Sequence, residues 1–193
     1  MVTSRREDRK KMDKNIEVAE HLGGGEGRCW IDEGSLDWAI NKFNIKSMID
    51  VGCGQACQVE LARSKGLEAI GVEGDPRVLK DDLQIHFDFT EGVFQPPKQY
   101  DLAWSVEFLE HVYEKYIPNY MPAFQSAKYV IATHALPGKP GNHHVNCQIP
   151  EYWHEKFDEY GFRYDDELTR ELRKNTTMGK YFMRKHGLFF VKK

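Results

Sequence analysis

An aspartate just ahead of a glycine pair, Asp50-Val-Gly52-Cys-Gly54, is the first group in this chain whose type and position can do chemistry. The apolar Met48-Ile49 before it reads as a buried strand, and the glycines read as a turn into a helix. Gly52 and Gly54 let a ligand come close to the backbone where a Cβ would clash. A carboxylate here repels a pyrophosphate and attracts a cation, so the turn suits a ligand with an ammonium group. Where a dinucleotide fingerprint asks for another glycine, the chain has Cys57. Ile70-Gly-Val-Glu73 then reads as a second strand ending on an acid, 23 residues after Asp50. Dinucleotide folds use a carboxylate at about that separation to hold a ribose. Asp75 competes with Glu73 for this role, but it precedes Pro76 and has a capping task of its own.

Strands must carry these groups to one edge of a sheet. The apolar patterning predicts strands over 47–51, 67–72, 84–87, 100–105, 129–133, 162–164 and 188–191. Helices are predicted over 16–22 and 35–44 (with Ser35 as its cap), through Val59, Leu61 and Ala62 to a stop at Gly66, after Asp75-Pro76, over 118–127, and from Pro150 to Gly161. Trp153 and Phe157 read as core positions of the last of these. Alternating strands and helices with short links imply an α/β, doubly wound, mostly parallel sheet with helices on both faces. The predicted strand ends carry Asp50, Glu73, Asp88 and Ser105 in order, where ligands of such sheets bind.

The glycine turn resembles motif I of the class I S-adenosylmethionine (SAM)-dependent methyltransferases, an acid followed by two spaced glycines, with Ala56 in place of the family's third glycine. Asp101-Leu-Ala-Trp-Ser-Val-Glu-Phe-Leu-Glu-His-Val resembles the family's fourth-strand motif. The likeness covers roughly residues 45–135, and Lys185-His-Gly-Leu-Phe-Phe-Val is similar to the family's final hairpin. It implies a Rossmann-like seven-stranded sheet whose antiparallel last strand inserts between the fifth and sixth. It also implies SAM as methyl donor. Asp50 would then hold the methionine amine, with Gly52 and Gly54 against the amino-acid part. Glu73 would take the ribose hydroxyls and Asp88 the adenine amine, with Phe89 at the ring edge. Ser105 and Val106 would lie beside the methionine. Asp88 can equally serve as a turn carboxylate.

Glu107, Glu110 and His111 sit at i, i+3 and i+4 and are expected to share a helical face. His111, with Glu110 beside it, is a candidate catalytic base; its alternative use is to brace this segment against the sheet. Glu107, His134, His144 and Asn146 are candidate acceptor-side groups. The last two belong to His143-His-Val-Asn-Cys-Gln-Ile-Pro-Glu-Tyr-Trp, which is similar to a segment after strand five in some bacterial and phage relatives; loop-pinning is their alternative use. No metal is expected, since the histidines and Asn146 are not the clustered carboxylates and amides of metal-assisted methyl transfer. There is also no paired Cys-x-x-Cys spacing.

The 193 residues suit one domain. Residues 1–14 read as a solvated arm, 15–44 as a helical cover with a glycine connector at Gly23–Gly27, 45–135 as the cofactor core, and 136–193 as acceptor-side loops and final hairpin. The four cysteines read as reduced thiols in a cytoplasmic setting, and no apolar run is long enough to cross a bilayer. Net charge is −3, yet residues 168–193 carry eight bases against Glu171. That segment can meet an anionic partner or be a solvated tail. The expected function is methyl transfer to an O or N nucleophile of a small-molecule or sugar-like acceptor. The alternatives are a nucleic-acid acceptor met by the basic segment, or a SAM-binding module without catalysis. A nicotinamide enzyme fits worst, because of Asp50 and Cys57.

Overall fold

The computed structural model describes residues 18–22, 27–80 and 82–193. Its elements are α1 (Glu33–Phe43), β1 (Ser47–Val51), α2 (Cys57–Ser64), β2 (Glu68–Glu73), β3 (Gln84–His86), β4 (Tyr100–Ser105), α3 (Ile117–Gln125), β5 (Ala127–Thr133), α4 (Pro150–Glu159), β6 (Phe162–Tyr164), α5 (Asp166–Asn175), α6 (Phe182–His186) and β7 (Gly187–Lys192). The strands form one sheet in the order β3-β2-β1-β4-β5-β7-β6. The pairs from β3 through β5 are parallel, while β7 runs antiparallel to both β5 and β6. The order reverses between β1 and β4, which opens a crevice beyond their carboxyl ends.

Side-chain alternation explains why helices cover both faces. Ile49, Ala103, Val130, Leu188 and Phe190 face one core with Phe124, Trp153 and Phe157. Met48, Leu102, Trp104, Ile131 and Phe189 face the other, with Leu36, Val59 and Leu172. Successive strand residues thus point to opposite faces, and strands buried on both sides read as continuous apolar runs. Trp153 and Phe157 are fully buried, as expected.

Several local expectations change. Residues 18–22 form a turn rather than a helix; positions 16–17, the arm over 1–14 and most of the glycine connector lie outside the described residues. The cap of α1 is Asp32, whose Oδ1 accepts from the Ser35 amide at 3.1 Å; Ser35 is inside the helix. Asp32 also accepts from the Thr177 amide at 2.9 Å, which ties α1 to the segment after α5. After Asp75 there is only a single 3₁₀ turn, Pro76–Val78. Cys29 and Cys57 are joined by a disulfide with Cα atoms 5.7 Å apart, which corrects the reading of four free thiols. Residues 28–30 pass over the start of α2, so two cysteines far apart in sequence become neighbours. No helix among the described residues is long and apolar enough to cross a membrane.

Candidate active site

The glycine turn is pinned to β2 from both sides. The Gly52 and Cys53 amides donate to the Val72 carbonyl at 3.0 and 3.2 Å. The Gly54 amide donates to Glu73 Oε2 at 2.8 Å, and Gln84 Nε2 donates to the Gly54 carbonyl at 2.6 Å. Gly52 has φ +72°, and a Cβ there would run into the Phe108 ring, so only glycine fits. Gly54 has φ +53° with open space where a Cβ would project. Ala56 also adopts a left-handed φ of 57°, at a place where glycine costs nothing.

The turn borders a cavity of about 390 Å³. That lies in the range of roughly 300–1,000 Å³ common for small-molecule sites. Of the cofactor candidates, Asp50, Gly52, Gly54, Glu73, Asp88, Phe89 and Val106 line it. Ser105 does not: its hydroxyl is fully buried and donates to the Val51 carbonyl at 2.9 Å, a brace between β4 and β1. Asp88 is already engaged, with Oδ1 accepting from the Thr90 amide and Oδ2 facing His21 Nε2, each at 2.8 Å. Thus the 18–22 segment closes the far edge of the cavity.

Charge is concentrated at one end. Asp50 is 4 % exposed. Burial, with the Glu73 charge next, pushes its pKa up to about 8. Burial also raises Glu73, although the amides of Asp75 and Gly54 pull the other way. Asp75 is also buried, yet Arg77 more than offsets that, and its carboxyl titrates below the ordinary range. Its Oδ1 accepts from the Arg77 amide at 2.9 Å, which caps the 3₁₀ turn, as the sequence suggested. Asp50 and Glu73 therefore form an acidic end at which no cation among the described residues is recorded as a partner, the complement of a positively charged ligand.

The opposite wall comes from the segment after β4 and the loop after β5. Val106 to His111 is not the helix that the spacing suggests. Glu107 takes φ 55° and donates its amide to Thr133 Oγ1 at 2.9 Å, and only Leu109–His111 makes a 3₁₀ turn. Glu107, His111 and His144 line the cavity; Glu110 stands behind them, 0 % exposed. Burial pushes Glu107 up to about 7 and Glu110 well above the carboxylate range, with Glu107 adding to the latter. Burial, then the neighbouring His144, lowers His111 to about 4. His134 and Asn146 are not brought to the wall. His134 is buried with Nδ1 against the Gln148 carbonyl at 3.1 Å, and Asn146 is buried with its amide donating to the Glu110 carbonyl at 3.0 Å.

Further lining residues escaped the sequence reading: His21, Arg28, Cys29, Tyr113, Tyr116 and Phe182 among them. Trp30 also lines the cavity and packs edge-on against Phe182, centroids 5.2 Å apart. The pairing of Trp30 with Phe182 spans most of the chain, so no local pattern signals it.

No family model matches the sequence, and no curated protein matches it. Solved structures do match in shape. A sugar N-methyltransferase from a Streptoalloteichus species superposes with a TM-score of 0.63 at 10% identity, over 88% of this chain and 90% of the other. A TehB-like SAM-dependent methyltransferase from Corynebacterium glutamicum gives 0.59 at 15%, over 83% and 88%. The magnesium protoporphyrin IX methyltransferase of Synechocystis, with bound S-adenosylhomocysteine, gives 0.57 at 15%, over 82% and 80%. The chain shares their fold, a Rossmann-like, mostly parallel seven-stranded sheet flanked by helices.

Proposed function

We propose that this chain, on its class I methyltransferase fold, binds SAM and transfers a methyl group to an O or N nucleophile of a small-molecule or sugar-like acceptor. The observation that carries the reading is Asp50, a buried acid beside a glycine turn, with Glu73 rather than a base as its charged neighbour. A cationic amine relieves that arrangement, whereas a phosphate aggravates it. When bound, SAM supplies a methyl group on a sulfonium already activated toward nucleophiles. Asp50 holds the amine, the backbone at Gly52 and Gly54 admits the amino-acid part, and Glu73 accepts from the ribose. Phe89 and Val106 border the cofactor, and Asp88 is available to the adenine if His21 yields its oxygen. Ser105 supports the site from behind.

Glu107, His111 and His144 stand on the acceptor side. Positioning the nucleophile in line supplies much of the rate in such a transfer, and the His111 imidazole, backed by Glu110, is placed to take a proton. Residues 45–135 form the cofactor half, the described part of 15–44 its cover, and 136–193 the acceptor-side loops and hairpin. The basic α5 residues Arg170, Arg173 and Lys174 lie outside the cavity lining, which favours a small acceptor over a nucleic acid.

The test is calorimetric titration of the protein with S-adenosylhomocysteine, SAM and NAD. The adenosyl ligands bind and NAD does not; tighter binding of NAD overturns the reading.

A further inference from the structure

Glu110 is a buried acid behind the cavity wall. It is 0 % exposed, and among the described residues its carboxyl meets only Glu107 and its own backbone amide. A buried carboxyl left that way costs several kcal/mol by rough reckoning unless something satisfies it. Glu107, the charged neighbour that presses on it, is another acid. Two imidazoles stand in front of it. One donor atom each from Glu110, His111 and His144 lie within 4.8 Å of one another. The two rings meet edge-on with centroids 4.9 Å apart.

We propose that Glu110, His111 and His144 bind a divalent first-row transition ion at the cavity wall. Two imidazoles and a carboxylate form a facial donor set that leaves positions open. Magnesium and calcium favour all-oxygen sites, so the imidazoles select against them. The outer contacts suit ligation as well. His144 Nδ1 lies 3.0 Å from the Lys139 carbonyl, which fixes the tautomer with Nε2 as the lone-pair nitrogen. Metal-binding histidines are commonly held this way by their second nitrogen. Gly141 lies against the His144 ring, where a Cβ would run into Nε2. Bonds of about 2.0–2.2 Å require the three donors to draw closer together than the separations of up to 4.8 Å at which they stand. The loop from 139 to 147 supplies His144, its carbonyl partner and Gly141 together, so one short segment positions a donor 33 residues beyond His111.

The ion site stands on these three side chains alone. Its role rests on the methyl-transfer reading: with His111 and His144 on the cavity wall, the open positions face the acceptor, and an oxygen nucleophile is the group the ion would hold. His111 then serves as a ligand in place of a free base.

The experiment uses the full chain without a polyhistidine tag, stripped with chelator and titrated with Co²⁺. Visible d–d absorption saturates at one ion per chain and is lost on adding Zn²⁺. Glu110→Gln and His144→Ala each weaken Co²⁺ binding at least tenfold, while His154→Ala leaves it unchanged; thermal unfolding of each variant verifies that it is folded. His144 is part-exposed, so its variant keeps the test valid even if Glu110→Gln destabilises the fold. No absorption in the folded wild type, or absorption that survives both changes, overturns the site. S-adenosylhomocysteine binding is measured separately on the same samples. Its loss with Co²⁺ binding intact defeats the methyl-transfer reading and leaves the ion site standing.

Discussion

The amide of Gly54 donates to Glu73 Oε2 at 2.8 Å, so the glycine turn and the acid that ends β2 are one hydrogen-bonded unit. The other oxygen of Glu73 accepts from the Asp75 amide at 2.9 Å. The Gly74 amide adds to these, so the carboxylate is held in place by backbone donors before any ligand arrives.

Glu73→Gln should therefore weaken S-adenosylhomocysteine binding while keeping a side chain of the same shape. A hydrogen bond to a charged group contributes about 1.5–3 kcal/mol, so the dissociation constant should rise roughly tenfold to a hundredfold. Asp75→Ala should instead cost about 0.5–2 kcal/mol of stability through the lost cap, with little change in affinity. Calorimetry and denaturant unfolding on both variants separate the two acids. Weaker binding in Asp75→Ala than in Glu73→Gln would mean that the ribose is held elsewhere.

Asp50 makes binding a proton-linked event. Its pKa stands near 8 in the ligand-free protein, against an ordinary 3.8. Between those values the folded chain keeps a proton that the unfolded chain has lost, so stability falls as pH rises from about 4 to 8 and levels off above. A bound ammonium favours the carboxylate, so ligand binding near pH 6.5 should release a proton and tighten as pH rises toward 8. Titrations in two buffers with different ionisation heats measure the released fraction. Asp50→Asn should flatten this slope of stability and weaken binding; buffer-independent heats in the wild type would contradict the account.

The two glycines should fail in different ways. Gly52→Ala meets both a left-handed φ and the Phe108 ring, and should cost about 2–4 kcal/mol of stability. That corresponds to roughly 5–15 °C in melting temperature for a chain of this size. Gly54→Ala meets the φ penalty only, about 1–2 kcal/mol, but its methyl group projects into open space beside the cavity. It should lose ligand affinity out of proportion to its melting shift. Equal effects of the two changes on binding and melting would refute this division.

The sequence made the sheet readable because its strands are buried on both faces and end on chemically distinct residues. Asp50, Glu73 and Asp88 could be placed at the cavity from strand ends alone. Ser105 could not, since direction across the sheet depends on register, and here the hydroxyl reaches Val51 instead. The helical spacing of Glu107, Glu110 and His111 misled, because nothing in a Glu-Phe pair announces a left-handed φ. The turn still leaves His111 facing the cavity with Glu110 behind it, an arrangement that depends on the loop 33 residues downstream. The α5 helix went unseen although Asp165 caps it and Leu168 and Leu172 recur at helical spacing; only two apolar residues mark its inner face in a charged stretch.

The place of β7 in the sheet sets an order of assembly. β6 pairs with β7 and with no other strand, and β7 lies between β5 and β6 although it follows both in the chain. During synthesis the half from β1 to β5 can pair as it leaves the ribosome, whereas β6 must wait for residues that have yet to be translated. Until then the outer edge of β5 stays open and Trp153, Phe157 and Phe162 lack the Phe190 side of their core. A nascent chain paused within residues 165–186 is therefore the form of this protein with most need of a chaperone.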